Sequence, residues 1–326
     1  MAGHSLRLFC VLALATLTLS GVSASLPRDT YLLRPDESTE LFVAEYGPSS
    51  AAPVVVLHGG WGAEHAYLVA PLLPLARDRR VVFYDQRGSL RSKTKLETLS
   101  IDRHVEDLEF VRKAIGAPKI TLVAHSMGGF LASNYIKKYP NHVDHAVFLC
   151  PVPAKFEKGF WAAMDENVKS LAAKEDDLVA ILRKEGLHRE QNPNGFSPMQ
   201  DLQRRKLFFS AAGGNIHRWK ETWKSINLGF YSEEVGGKMG AVMPEEVDLT
   251  NVLNQWPGRL DVLAAEYDYI SLAAQRAWIA KVPKARLTVL RNAAHMAWID
   301  QPRGFRSFLD QIFAPPRSQK PFTGIN

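Results

Sequence analysis

The feature that most restricts how this chain folds is Ile120-Thr121-Leu122-Val123, followed without a spacer by Ala124-His125-Ser126-Met127-Gly128-Gly129 and then by the helical pattern Leu131 to Ile136. A strand that passes through a single serine into a helix must turn sharply, and only small neighbours leave room for that turn. Ala124 stands where a glycine is usual, a small-for-small exchange that the turn tolerates. The turn lifts the Ser126 hydroxyl above the sheet and sets it at a helix start, where free N–H groups give a positive potential. A plain glycine-rich turn would not require a strand before it and a helix after it. His125 is expected to point elsewhere and to be structural.

Around this motif, Val54 to Leu57, Val81 to Tyr84 and Ala146 to Leu149 are short continuous apolar runs. They suit strands covered by helices on both faces, hence a mostly parallel sheet. Val105, Leu108, Val111 and Ile115 recur at helical spacing, with Gly116 and Pro118 as a stop. A second helix is expected to follow Gly129 and end before Pro140. Residues 155–256 break the pattern with charge clusters, tryptophans at 161, 219, 223 and 256, and no convincing β run. They read as a helical cap inserted between a first core part, 25–154, and a second, 257–314. In the second part, Leu260 to Ala265 and Arg286 to Leu290 read as strands, with helices near Leu272 to Ala280 and from Pro302. The proline-bearing tail 315–326 reads as poorly ordered.

A serine hydroxyl is a weak nucleophile that needs a base within reach and a third group to orient that base. On such a sheet the chain order is serine, acid, histidine. His295 follows the strand 286–290; His142 and His145 come too early for an acid to precede them, and His188 and His217 fall in the cap. Glu266 and Asp268 both follow the strand 260–265. Asp268 lies further into the loop and is the better acid, with Glu266 bracing the turn, while Asp261 and Asp300 read as ordinary solvated carboxylates. An oxyanion needs preorganised N–H donors. Met127, next after the serine, supplies one, and Gly60 or Trp61 in His58-Gly59-Gly60-Trp61-Gly62 supplies the other.

With 46% hydrophobic and 23% charged residues, the chain can bury a sizeable core. Its formal charge of +6 is spread without a long basic run, so nothing marks nucleic acid as a partner. Arg7, the apolar run Leu8 to Leu19 and Val22-Ser23-Ala24 read as a secretory signal over residues 1–24, too short for the roughly 20 residues that span a bilayer. The expectation is a secreted or secretory-lumen protein without stable membrane insertion. Cys10 falls in the signal, which leaves Cys150 as a buried, inert thiol with no disulfide partner.

His58-Gly59-Gly60-Trp61-Gly62, Asp85-Gln86-Arg87-Gly88-Ser89 and the Ser126 motif together resemble the capped branch of the α/β-hydrolase fold related to prolyl iminopeptidase. The resemblance covers roughly residues 40–150 and 258–312. It implies an α/β-hydrolase fold with Ser126, Asp268 and His295 as triad, Met127 with Gly60 or Trp61 as oxyanion hole, and Asp85 and Arg87 as braces. It also implies release of an N-terminal residue from a short peptide or small molecule, without cofactor or metal. The family grips the substrate amine with cap glutamates beside a tryptophan-rich helix. Here that stretch is Trp219-Lys220-Glu221-Thr222-Trp223-Lys224, which leaves Glu221 as the candidate. A carboxylesterase or lactonase with the same triad is the alternative, and a non-catalytic binding protein of the same fold is a third reading. Acidic groups in the cap pocket separate the first two.

Overall fold

The computed structural model describes residues 28–34, 39–172, 175–212, 218–227, 229 and 231–314. The signal read at 1–24 and the tail at 315–326 lie outside the described residues.

The strands run in chain order as β1 (Arg28–Leu33), β2 (Glu40–Tyr46), β3 (Pro53–Leu57), β4 (Arg80–Tyr84), β5 (Ile120–His125), β6 (Val143–Leu149), β7 (Lys155–Phe156), β8 (Val247–Asp248), β9 (Arg259–Ala265) and β10 (Arg286–Leu290). Eight of them form one sheet in the order β1-β2-β4-β3-β5-β6-β9-β10. β1 with β2 and β2 with β4 pair antiparallel, and the remaining pairs are parallel. Strand order reverses between β3 and β5, and in open α/β sheets the crevice beyond the strand ends at such a reversal is where ligands bind.

The continuous apolar runs follow from burial on both faces. Val55 and Leu57 pack into a cluster with helices α2 (Ile101–Ala114) and α3 (Met127–Lys138). Val54 and Val56 point the other way, into a second cluster with α1 (Ala66–Leu72) and the last helix of the described chain, Pro302–Phe313. Ser100 caps α2 by accepting the Arg103 N–H, so this helix begins a turn before its apolar stripe. α3 begins at Met127, directly after Ser126, and takes in the two glycines that it was expected to follow.

Between β6 and β9, adjacent in the sheet, the chain runs through α4 (Phe160–Ala172), α5 (Glu175–Lys184), α6 (Pro198–Ala212), α7 (Trp219–Ser225), α8 (Glu233–Val242) and α9 (Thr250–Gln255). This stretch holds one short antiparallel ladder that no β run announces: β7 pairs with β8 through Lys155 with Asp248 and Phe156 with Val247. Two residues per strand are too few for an alternating pattern. The chain closes with α10 (Leu272–Ile279), α11 (Ala297–Asp300) and α12 (Pro302–Phe313), the last with proline in its first turn. No helix among the described residues is long and apolar enough to cross a membrane.

Candidate active site

Ser126 sits between β5 and α3 at φ 53° and ψ −119°, a region that non-glycine residues rarely occupy. Its N–H donates to Leu149 O at 2.9 Å, and its carbonyl accepts from Gly129 at 3.0 Å and Val152 at 2.9 Å, so the end of β6 and the first turn of α3 hold the turn. Two glycines are required by contact. A Cβ on Gly59 would lie 2.6 Å from the Ser126 Cβ, and one on Gly128 would lie 2.6 Å from Leu57 O.

The His295 Nδ1 lies 2.9 and 3.1 Å from the two carboxylate oxygens of Asp268, and both side chains are buried. A carboxylate only accepts, so Nδ1 carries the proton and Nε2 is left as the basic nitrogen. Asp268 also accepts the Ile270 N–H at 2.9 Å. Tyr269 lays its ring 4.3 Å from that of His295. Glu266 braces the turn by accepting from Asn292 N at 2.9 Å.

Two carboxylates read as solvated are buried instead. Asp261 bonds His145, Arg259 and Arg286 at 2.7, 2.8 and 2.6 Å, which satisfies a charge buried on β9, between β6 and the edge strand β10. Asp300 accepts the Ala294 N–H at 2.7 Å and so fixes the loop carrying His295; burial pushes its carboxyl above the usual range. Cys150 is buried, and burial together with the neighbouring Asp268 charge drives its thiol well above the ordinary value. Such a thiol is unreactive.

The loop after β3 is held by the Asp85 to Ser89 segment. His58 Nε2 accepts the Gln86 N–H at 3.0 Å, and the Gln86 amide donates to His58 O at 2.8 Å. Burial lowers the His58 pKa to about 4, which keeps that nitrogen an acceptor at neutral pH. Gln86 stands inside the Asp85-Gln86-Arg87-Gly88-Ser89 motif, and nothing in the sequence distinguishes its role from that of its neighbours. Asp85 and Arg87 each find a separate partner. Arg87 makes a two-pronged contact with Asp107 of α2 at 2.8 and 2.7 Å. Asp85 binds His65 at 2.7 Å and Arg91 at 2.8 Å; burial alone would raise its carboxyl, and these bonds outweigh burial and hold it well below the usual range. Glu64, His65 and Asp85 are close enough to hold a metal, but Arg91 reaches both carboxylates and Asn227 donates to Glu64, which makes the cluster an internal ion-pair network.

Ser126, His295, Met127 and Gly60 all line one cavity of about 560 Å³. Trp61 is not among its lining residues: its ring is buried 4.7 Å from that of His104, and its indole N–H meets the Met243 sulfur at 3.3 Å. Of the two candidate loop amides, Gly60 therefore belongs to the residue at the wall. The roof contributes Met164, Phe209, Tyr231 and a mixed set of charges, Asp201, Arg204, Arg205 and Lys206 on α6 and Glu233 on α8. Arg205 bridges Asp201 at 2.8 Å and Glu233 at 2.9 Å. Glu221, the expected amine ligand, is not in the wall. Its side chain is 51% exposed and lies 4.0 Å from Arg218, because its face of α7 points outward while Thr222 points in.

A nucleophile turn at a strand-order reversal, with an oriented histidine sharing its cavity, defines a hydrolase built on a doubly covered, mostly parallel sheet. Residues 52–302 match the family described as alpha/beta hydrolase fold, and the chain belongs to it. Proline iminopeptidase of Saccharolobus solfataricus is 27% identical over 284 residues, 80% of this chain and 86% of that protein. A proline iminopeptidase-related protein from Thermus thermophilus superposes with a TM-score of 0.63 at 24% identity, over 88% of this chain and 97% of its own. A thermophilic esterase from Thermogutta terrifontis superposes almost as well, with a TM-score of 0.62 at 19% identity, over 87% and 98%. The chain is a hydrolase similar to both kinds of enzyme.

Proposed function

We propose that this chain is a serine hydrolase that works through an acyl-enzyme on Ser126 and releases the N-terminal residue of short peptides. The observation that carries the mechanism is the placement of Ser126 and the Asp268-oriented His295 in one cavity. His295 Nε2 takes the Ser126 proton as the hydroxyl oxygen attacks the carbonyl carbon, and the N–H groups of Met127 and Gly60 receive the oxyanion. His295 then gives its proton to the leaving nitrogen, and water reverses the sequence on the acyl-enzyme. Like-sized relatives named proline iminopeptidase support the peptide reading, and Asp201 and Glu233 supply carboxylates for a substrate ammonium.

A second reading, a carboxylesterase or lactonase, is favoured by Arg205, which already occupies both carboxylates. Hydrolysis of a proline arylamide with a free amine, compared with its N-acetyl form and with a short-chain aryl ester, separates the two. Cleavage of the free-amine substrate alone supports the aminopeptidase; cleavage of the ester alone replaces it. We further propose, from residues 1–24, that the enzyme acts after export. N-terminal sequencing of protein recovered outside the cytoplasm tests this, and an intact Met1 there would refute signal removal.

A further inference from the structure

Three loops meet at the cavity floor: the Gly59-Gly60 loop after β3, the turn carrying Ser126, and the loop carrying His295. One line of hydrogen bonds crosses all three. The Gly59 N–H donates to the Tyr67 hydroxyl at 2.7 Å, the Tyr67 hydroxyl lies 2.7 Å from His125 Nδ1, and His125 Nε2 lies 3.2 Å from the carbonyl of His295. A backbone amide can only donate, so the Tyr67 oxygen accepts there and its own proton is available to Nδ1. A carbonyl can only accept, so the ring's single proton belongs on Nε2. The neutral Nε2–H form of His125 satisfies every bond in the line, and the opposite tautomer would set two acceptors against each other at His295. Tyr67 and His125 are buried, and their surroundings are rings: Trp298 lies 6.0 Å from Tyr67 and 5.0 Å from His125. Both side chains also line the cavity floor beside Ser126.

We propose that Tyr67 and His125 are positioning residues that hold the oxyanion loop and the base loop in one register about Ser126. The proposal rests on the serine-hydrolase reading above. Neither side chain needs to exchange a proton with substrate. Each acts through backbone, Tyr67 on Gly59, which touches Ser126, and His125 on the carbonyl of the base itself.

The test compares Tyr67→Phe, His125→Leu and His125→Gln, the last keeping an acceptor and a donor on one side chain. In wild type, ¹⁵N spectra of labelled histidine should show His125 with an accepting Nδ1 and a protonated Nε2. Tyr67→Phe should lose the acceptor signature and lower kcat about tenfold or more, with KM within about twofold, because a buried partner is stranded and the misplacement is felt only as the oxyanion forms. His125→Gln should recover a substantial part of the kcat that His125→Leu loses. An unchanged kcat in Tyr67→Phe, or a His125 that carries its proton on Nδ1, overturns the proposal. Failure of the reading beneath it is separate: wild type would then neither turn over an aryl ester nor be labelled at Ser126 by a fluorophosphonate.

Discussion

At Ser126 the backbone angles cost an L-residue on the order of 1–3 kcal/mol, held in place by the Leu149, Gly129 and Val152 contacts. Two substitutions separate strain from chemistry. Ser126→Ala should lower turnover by several orders of magnitude with little change in urea midpoint. Ser126→Gly should abolish turnover too, yet raise unfolding free energy by about 1 kcal/mol, because glycine accepts positive φ. Equal stability of the two variants would remove strain from the account. The positions of Ser126, Asp268 and His295 were legible because Ser126 directly follows a strand and the other two lie in the short loops after strands, and a strand end is visible as the end of an apolar run. Asp261 and Asp300 were misread because a carboxylate carries no mark of its tertiary partners. Glu221 was misplaced because a tryptophan-rich stretch locates a helix but not the face it turns to the cavity; Asp201 and Glu233, which do line it, stand in no motif.

Among the elements, the buried strands and their covering helices were legible from period and stop signals. β1, β2 and the β7–β8 ladder were not: β1 is an exposed edge and the ladder is two residues deep. Helix α2 shows what such reading omits. Its apolar stripe is plain in the sequence, whereas its Asp107 is buried against Arg87 from the loop after β4. Arg87→Ala leaves Asp107 without its two-pronged partner and should cost about 3–5 kcal/mol in urea unfolding. A loss below about 1 kcal/mol would mean that Arg34, 3.6 Å away, takes over the pairing.

Over the whole molecule, pH acts through two sets of groups. Burial lowers His58 and His104 to about 4 and drives His125 well down. The unfolded chain therefore binds more protons than the native one between about pH 6.5 and 4, so stability is full above that window and falls as pH drops through it. For His58 and His104 the loss is about 3 kcal/mol each. Asp85 and Glu109, held low by their partners, keep their contribution above the ordinary carboxylate range and lose it further down. Thermal melts should accordingly show Tm declining from near pH 6.5, well before carboxylates protonate. A Tm flat to pH 4.5 would contradict neutral buried histidines.

The β7–β8 ladder ties the point where the chain leaves the sheet for the roof to the point where it returns, while α9, beyond it, makes the crossover back to β9. Inheritance can therefore treat the two parts separately: a lineage can exchange the stretch between those points for one of another length without shifting the register of any strand. Diet can diverge between such lineages while the cutting tool stays the same.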